Sequence, residues 1–445
     1  MNVRTTQVPP PSRARQNAPL LALVTVAGVS ALGIAATLVA VPWFVLHTTG
    51  SGTWTGLVAA AETAGLLCSA VLAGPVVDRL PTRAVSFGAD LLSAAALALI
   101  PLLHAVGALS LAVLVALVFV VGAARGPAET ARQLLLAGAM EQSGTTVEVG
   151  TGMVEAARRI GLMAGAPLAG LLVTAVGPVR TLCADVGAAL LCCLLVAALV
   201  PAVPRPAGDG TAPRSPGGTA TAYLADLRAG WAYLRGDRPV RAMTAVLLVT
   251  NALDGALNGV LYPAYGSRVL QSSALFGGMI TAIGAGALLG AGLYGRFGRR
   301  LPRRALFVGA FLLVGAVRCA TLAAGPPPWA LLSLLALSGL GSGALAPLMM
   351  SVAYERVPER VRGRVFGMLV ACALAATPLG MLVAGPVLDG WGLTPALLAT
   401  GAVYLGVTLT PLVFPVWGEL DAAEPSFTPS ADRSVEIEAV CRPSL

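Results

Sequence analysis

Lysine is missing from this chain of 445 residues, and all 29 basic residues are arginine. Charge of either sign is scarce, at 11% of residues, and aromatic residues make up only 5%. A water-soluble domain of this length needs far more charge to cover its surface, so the scarcity excludes an ordinary soluble globular fold. The formal charge is +8, but the arginines stand between apolar runs and not on one polar face, which excludes a nucleic-acid surface. The use of arginine alone reads as the codon bias of a GC-rich genome. Seven cysteines (Cys68, Cys183, Cys192, Cys193, Cys319, Cys372 and Cys441) show neither metal-ligand spacing nor a disulfide framework. His47 and His104 end apolar runs and read as wetted helix ends. The sequence has no phosphate-binding glycine loop, metal cluster or nucleophile constellation. It therefore predicts no enzyme, no cofactor and no metal.

What is abundant is apolar mass. Hydrophobic residues are 56% of the chain and the mean hydropathy is +0.81. Most of this is Ala, Leu, Val and Gly, small enough to let helix backbones approach closely in lipid. A membrane span needs about 20 mostly apolar residues. That rule predicts spans at 19–46, 54–76, 84–104, 109–124, 151–174, 179–200, 240–260, 274–294, 305–324, 329–350, 365–388 and 395–417, the fourth drawn short. The first run is too long for the core of a cleaved signal peptide. The predicted fold is all-α and integral to the membrane, with 12 transmembrane helices in two six-helix bundles.

The domain organisation follows from the gaps. Residues 1–18 are basic and Pro-rich and read as a disordered arm; 19–200 form the first bundle and 239–417 the second; 418–445 read as a disordered tail. Between the bundles, 201–238 open as a Pro/Gly/Ser linker. They continue as an amphipathic surface helix with Tyr223, Leu224, Leu227, Trp231 and Leu234 at helical spacing. With both termini cytoplasmic, every arginine except Arg180, Arg268 and Arg318 falls in or near a cytoplasmic segment. That asymmetry predicts a multi-pass protein of the cell membrane with cytoplasmic ends. The halves also repeat: Gly74-Pro-Val-Val-Asp78-Arg79-Leu80-Pro81-Thr82-Arg83-Ala84 follows the second span, and Gly295, Arg300, Leu301, Pro302, Arg304 and Ala305 match it after the eighth. Duplicated bundles with a site between them are a transporter arrangement.

These residues resemble the major facilitator superfamily. Gly74-x-x-x-Asp78-Arg79-x-x-x-Arg83 is similar to the signature of its second loop, and the degenerate copy stands where the family keeps one. ETAGLL in the second span, ADLL at Asp90, YLADLRAGWAYLR and VPERVRGRVFGM look like the macrolide and siderophore exporter branch. Gly152, Gly161, Gly165, Pro167 and Gly170 in the fifth span are similar to the antiporter signature of drug:proton exchangers, with Ala166 interposed. The resemblance implies efflux of a hydrophobic or cationic small molecule by proton antiport and alternating access, with protons and membrane lipids as further partners and a monomeric chain. It also implies that Asp78 meets the start of the eleventh span as a conformational latch, with Arg79 and Arg83 pairing with acids or lipid phosphates. A carboxylate beside the unpaired N–H groups of a helix N-terminus is stabilised there. The alternative reading of these charges is topology alone. An importer or facilitator of the same fold, and a non-transporting sensor, are the alternative functions.

A lone charge at mid-bilayer costs several kcal/mol, about 3 on insertion scales, so intramembrane acids are functional candidates. Glu62 lies in the second span; Asp254 lies in the seventh, with Asn251 and Asn258 at helical spacing on its face. In the fold that the resemblance implies, both helices touch the cavity, so these four residues are the expected proton-coupling and substrate site. The competing reading is a hydrogen-bonded structural acid. Glu155, Arg158 and Arg159 are spaced for local ion pairs. Asp90, Asp185 and Arg318 fall on spans that are peripheral in that fold, where structural pairing is expected. Ser333, Ser338, Ser342, Met349, Met368, Cys372, Thr377 and Met381 give the expected cavity mild, adaptable walls that suit a bulky amphipathic substrate better than a sugar.

Overall fold

A computed structural model describes residues 13–201, 238–300, 302–356 and 359–413; at 13–15, 70–75, 78–79, 238–240, 299, 346, 352–356, 359–364, 411 and 413 the backbone alone is described. Residues 13–18, expected within the disordered arm, form the start of α1; the rest of the arm, most of the linker with its amphipathic helix, and the tail lie outside the described residues. Twelve helical segments are present among the described residues. They are α1 (Arg13–Thr49), α2 (Gly52–Arg79), α3 (Thr82–Ala105), α4 (Leu111–Ser143), α5 (Val147–Val176) and α6 (Pro178–Leu199). The second six begin with α7, which runs Arg238–Ala256 and continues through π-helical stretches Leu257–Leu261 and Gly266–Leu270 with Tyr262–Tyr265 between them. Then come α8 (Ser273–Phe297), α9 (Arg303–Leu312, π-helical Leu313–Val317, Arg318–Ala324), α10 (Pro328–Arg356), α11 (Glu359–Trp391) and α12 (Leu393–Val413). Among the described residues, 11 of these helices are long and apolar enough to cross a membrane.

The helices start and stop where local chemistry dictates. Ser51, Ser110 and Ser272 cap α2, α4 and α8, each hydroxyl accepting from a backbone N–H of the first turn. Gly144 ends α4 in the left-handed conformation, with φ 65. Two spans differ from the sequence expectation. The fourth runs to Ser143 instead of stopping at 124, and the seventh runs to Leu270 instead of 260. Both carry polar or charged residues that an apolar-run rule treats as stops. Inside the folded bundle these residues are satisfied by neighbours, so the helix need not end.

The duplication predicted from the loop motif is visible in the packing. In the first half α1 packs on α5 and α6, α2 on α4, and α3 on α4 and α6; in the second half α7 packs on α11 and α12, α8 on α10, and α9 on α10 and α12. Each contact has its counterpart six helices later. Between the halves α2 packs on α11 and α5 on α8, again a symmetric pair. Among the described residues, several close approaches and bonds between the halves lie at the end of the bundle opposite the start of α1. There Trp43 stacks on Phe276 with ring centroids 6.4 Å apart, Arg268 Nη2 donates to Gly50 O at 2.9 Å, and Ser273 Oγ bonds Gly170 O at 2.7 Å. Nearer the middle Thr281 Oγ1 donates to Met163 O at 2.9 Å.

Candidate functional site

Among the described residues, three acids and two arginines meet in the interior of the first half. Gly122 on α4 faces the Glu62 carbonyl so closely that a Cβ there would collide with backbone. The two backbones therefore touch, and Arg125, one turn further on the same face of α4, forms an ion pair with Glu62 Oε1. The other arm of the guanidinium, Arg125 Nη2, lies 3.5 Å from Asp185 Oδ2 on α6. Asp185 also accepts from Thr37 Oγ1 of α1 at 2.5 Å. Gly33 of α1 makes room for it, since a Cβ at Gly33 would come within 3.1 Å of its carboxyl carbon. Two turns along α4, Arg132 pairs with Asp90 of α3 at 2.5 Å and donates to Ser30 Oγ of α1 at 3.2 Å. Glu62 and Asp185 thus share one arginine, while Asp90 has its own.

Among the described residues, the interior of the second half pairs an acid of α7, Asp254, with a buried arginine of α9, Arg318. Arg318, only 4% exposed, begins the helical turn after the π-helical stretch of α9. It donates to Ser338 Oγ at 3.0 Å, Tyr262 Oη at 3.1 Å and Ser342 Oγ at 3.1 Å. Asp254 on α7 accepts from Tyr404 Oη of α12 at 2.9 Å, and its charge interacts with that of Arg318. Gly315 lies against the ring of Tyr404 and leaves no space for a Cβ, which holds the phenol in place. π-Helical stretches flank both charges, just after Asp254 and just before Arg318. Such stretches change which residues share a face and recur at functional sites.

The structure brings some expected residues together and separates others. Asn251 and Asn258 do not bond the Asp254 carboxylate; each amide donates 2.8 Å back along α7, to Leu247 O and Asp254 O. Glu155 pairs with Arg158 at 2.8 Å and with Arg159 at 2.7 Å. Asp90, Asp185 and Arg318, on helices expected to be peripheral, point inward, at 7%, 5% and 4% exposure. In the antiporter-like segment Gly161 meets Gly28 of α1, Gly165 meets Leu32 and Ala35 of α1, and Gly170 meets Ser273 of α8, while Pro167 lies under Gly277. Gly152 has open space around it. That segment is a packing ridge joining α5 to both halves. Arg83 bonds the Ala197 carbonyl near the end of α6. The side chains of Gly74, Asp78 and Arg79 lie outside the described residues. An apolar groove of about 300 Å³ opens between α7, α11 and α12, with Leu253, Val383, Val387 and Trp391 in its wall.

Arg125, Arg132, Thr37, Tyr262 and Tyr404 were not singled out by sequence reasoning. The two arginines carried a usable signal: they are two helical turns apart in a run that would continue the fourth span. The phenols carried none, since a tyrosine in an apolar run looks the same whether or not it faces an acid.

The family model described as Major Facilitator Superfamily matches residues 23–253 and 244–443, which is most of the chain. The chain belongs to the major facilitator superfamily. Among curated relatives, the multidrug efflux pump Tap of Mycolicibacterium fortuitum is 34% identical over 409 residues, covering 91% of this chain and 98% of the relative. The multidrug efflux pump Tap of Mycobacterium tuberculosis (strain ATCC 25618 / H37Rv) is 34% identical over 401 residues, covering 88% and 93%. The crystal structure of the nucleoside transporter NupG superimposes with a TM-score of 0.71 at 14% identity, covering 91% of this chain and all of that one. At that identity the likeness concerns the fold alone. As a major facilitator, the protein is a multi-pass membrane transporter resembling the drug-efflux branch.

Proposed function

We propose that this major facilitator exports a hydrophobic or cationic small molecule in exchange for protons, by alternating access between its two halves. The observation that carries this reading is the charge imbalance in the first half. Glu62 and Asp185 share the single guanidinium of Arg125, so two carboxylates face one positive charge in a low-dielectric interior. Such a site is stable when the odd acid holds a proton or when a cation arrives to replace it, and that exchange is the elementary step of proton antiport. Full-length similarity to pumps named for multidrug efflux supports the direction and the substrate class.

In this reading Glu62, partly open to the interior at 24% side-chain exposure, is the water-facing partner, and Asp185 is its buried reserve. Asp254 is the corresponding acid of the second half, held by Tyr404 and balanced by Arg318. Asn251 and Asn258 are polar points on the same helix that a substrate meets. With both termini in the cytoplasm, the end where the Trp43–Phe276 and Arg268–Gly50 contacts lie is the outer one, and such outer contacts belong to the inward-facing state of the cycle. Asp78, with Gly74, Arg79 and Arg83, serves the opposite state by engaging the start of α11 when the inner end closes.

The test is accumulation of a fluorescent cation or an antibiotic in cells with and without the protein. Export predicts lower accumulation on expression, abolished when the proton gradient is collapsed. Glu62→Gln and Asp254→Asn are expected to uncouple export from the gradient, and Asp78→Asn to slow it while the protein stays in the membrane. Accumulation that rises with expression would overturn the direction, and unchanged gradient dependence in both acid variants would remove them as coupling groups.

A further inference from the structure

Asp389 stands in the last turn of α11, where a carboxylate faces the negative end of its own helix dipole. Within α11 it is on the wrong end. Its surroundings explain it: the carboxylate reaches across the boundary between the halves to the N-terminus of α2. It accepts from Gly52 N at 2.6 Å, Ser51 Oγ at 2.8 Å, Thr53 N at 2.9 Å and Thr53 Oγ1 at 2.7 Å. Four donors on one carboxylate, two of them orphan N–H groups of a helix start, make a strong charge-assisted contact. The backbones behind it are in contact too. A Cβ at Gly385 would lie 2.7 Å from Gly52 O, one at Gly52 would lie 2.7 Å from Leu388 Cδ2, and one at Gly56 would strike Met381 O. The α2–α11 seam is zipped at this end by glycines and closed by one acid.

The two helices run antiparallel. The C-terminal end of each therefore lies beside the start of the other. Asp78 occupies the last turn of α2 as Asp389 occupies the last turn of α11. A rigid pair of halves that rocks about the centre cannot close both ends at once.

We propose that Asp389 is the outer latch of the transport cycle, holding the α2–α11 seam shut by capping α2 from the other half, and that Ser51, Gly52 and Thr53 must release it before the outer end opens. The proposal rests on the alternating-access reading above and names the residue that biases it. It makes Asp389 a positioning residue, since it touches the opposite half and not the central charges.

The experiment uses the full chain in lipid nanodiscs with its native cysteines replaced. Spin labels are placed at Val106 and Val269, which are 68% and 50% exposed at the ends of α3 and α7 on the same side of the bundle as the latch. Pulsed electron resonance reads the distance between the halves. The parent is expected to give one dominant short distance. Asp389→Ala is expected to raise the fraction of a longer distance at least threefold, with Thr53→Val and Gly385→Ala shifting it in the same direction. Thr53→Val keeps the acid and removes one donor, so it reads the latch even if Asp389→Ala fails to fold. An unchanged distribution in Thr53→Val and Gly385→Ala, in a parent that exports its substrate, overturns the latch and leaves the transport reading standing. A shifted distribution in a parent without flux of any substrate keeps the latch and overturns the transport reading.

Discussion

Tyr404 Oη of α12 donates to Asp254 Oδ1 of α7 across 2.9 Å, and the phenol ring is itself locked against Gly315 of α9. Three helices of the second half therefore meet at one acid. Tyr262 of the same half accepts from the buried Arg318 at 3.1 Å, so Asp254 and Arg318 each have a phenol partner.

Tyr404→Phe is the mildest way to test that arrangement. It keeps the ring that Gly315 packs against and removes only the donor to Asp254. Loss of a hydrogen bond to a charged group costs about 1.5–3 kcal/mol, so export is predicted to fall roughly tenfold or more. Protein yield should stay close to the parent. A variant with full export would show that the bond does not serve the transport cycle.

Asp254 and Arg318 are opposite charges inside the second half, and removing either leaves the other less compensated. Asp254→Asn and Arg318→Gln are each predicted to lower thermal stability in detergent. The double variant should lose clearly less than the sum, by about 1–3 kcal/mol, because neither charge is then left alone. Strict additivity in the cycle would show that the two charges do not sense each other.

Arg125 is shared by Glu62 and Asp185. Breaking a buried pair by removing one partner costs about 3–5 kcal/mol, somewhat less here because the Arg125 side chain keeps 21% exposure. Arg125→Gln is therefore predicted to be the most destabilising single change among the interior charges, measured as melting temperature or recovery from membranes. Arg125→Lys keeps the charge without the fork that spans two acids, and is expected to fall between the two.

Gly122 lets α4 touch α2 beside Glu62. Gly122→Val places side-chain atoms where the Glu62 carbonyl stands and is predicted to pry the helices apart, at a cost of about 1–3 kcal/mol. Export should drop with it, because Glu62 then loses its reach to Arg125. Normal stability and export in Gly122→Val would mean that the α2–α4 contact is looser than described.

The twelve spans, the duplication and the membrane setting were legible in the residues themselves, because a lipid solvent filters composition along the whole length of each helix. Long oily runs, glycines at close crossings and the placement of arginines are local facts, and the matched loops around Asp78 and Arg300 reported the repeat without any tertiary information. The partners of the interior charges were not legible. Asp185 bonds Thr37 from 148 positions away and Asp254 bonds Tyr404 from 150 positions away, and nothing in either local sequence announces the other. Arg125 was placed at the edge of its span because an apolar-run rule counts charge as a stop, while the folded bundle neutralises that charge with Glu62 and lets α4 run on. Asp389 carried no signal in the sequence, and only the approach of α2 gave it four donors. The sequence by itself decided that the chain must live in lipid and how many times it crosses. Which acid meets which donor was decided by tertiary packing, since an interaction that needs contact within about 3 Å depends on how helices far apart in the chain are laid against each other.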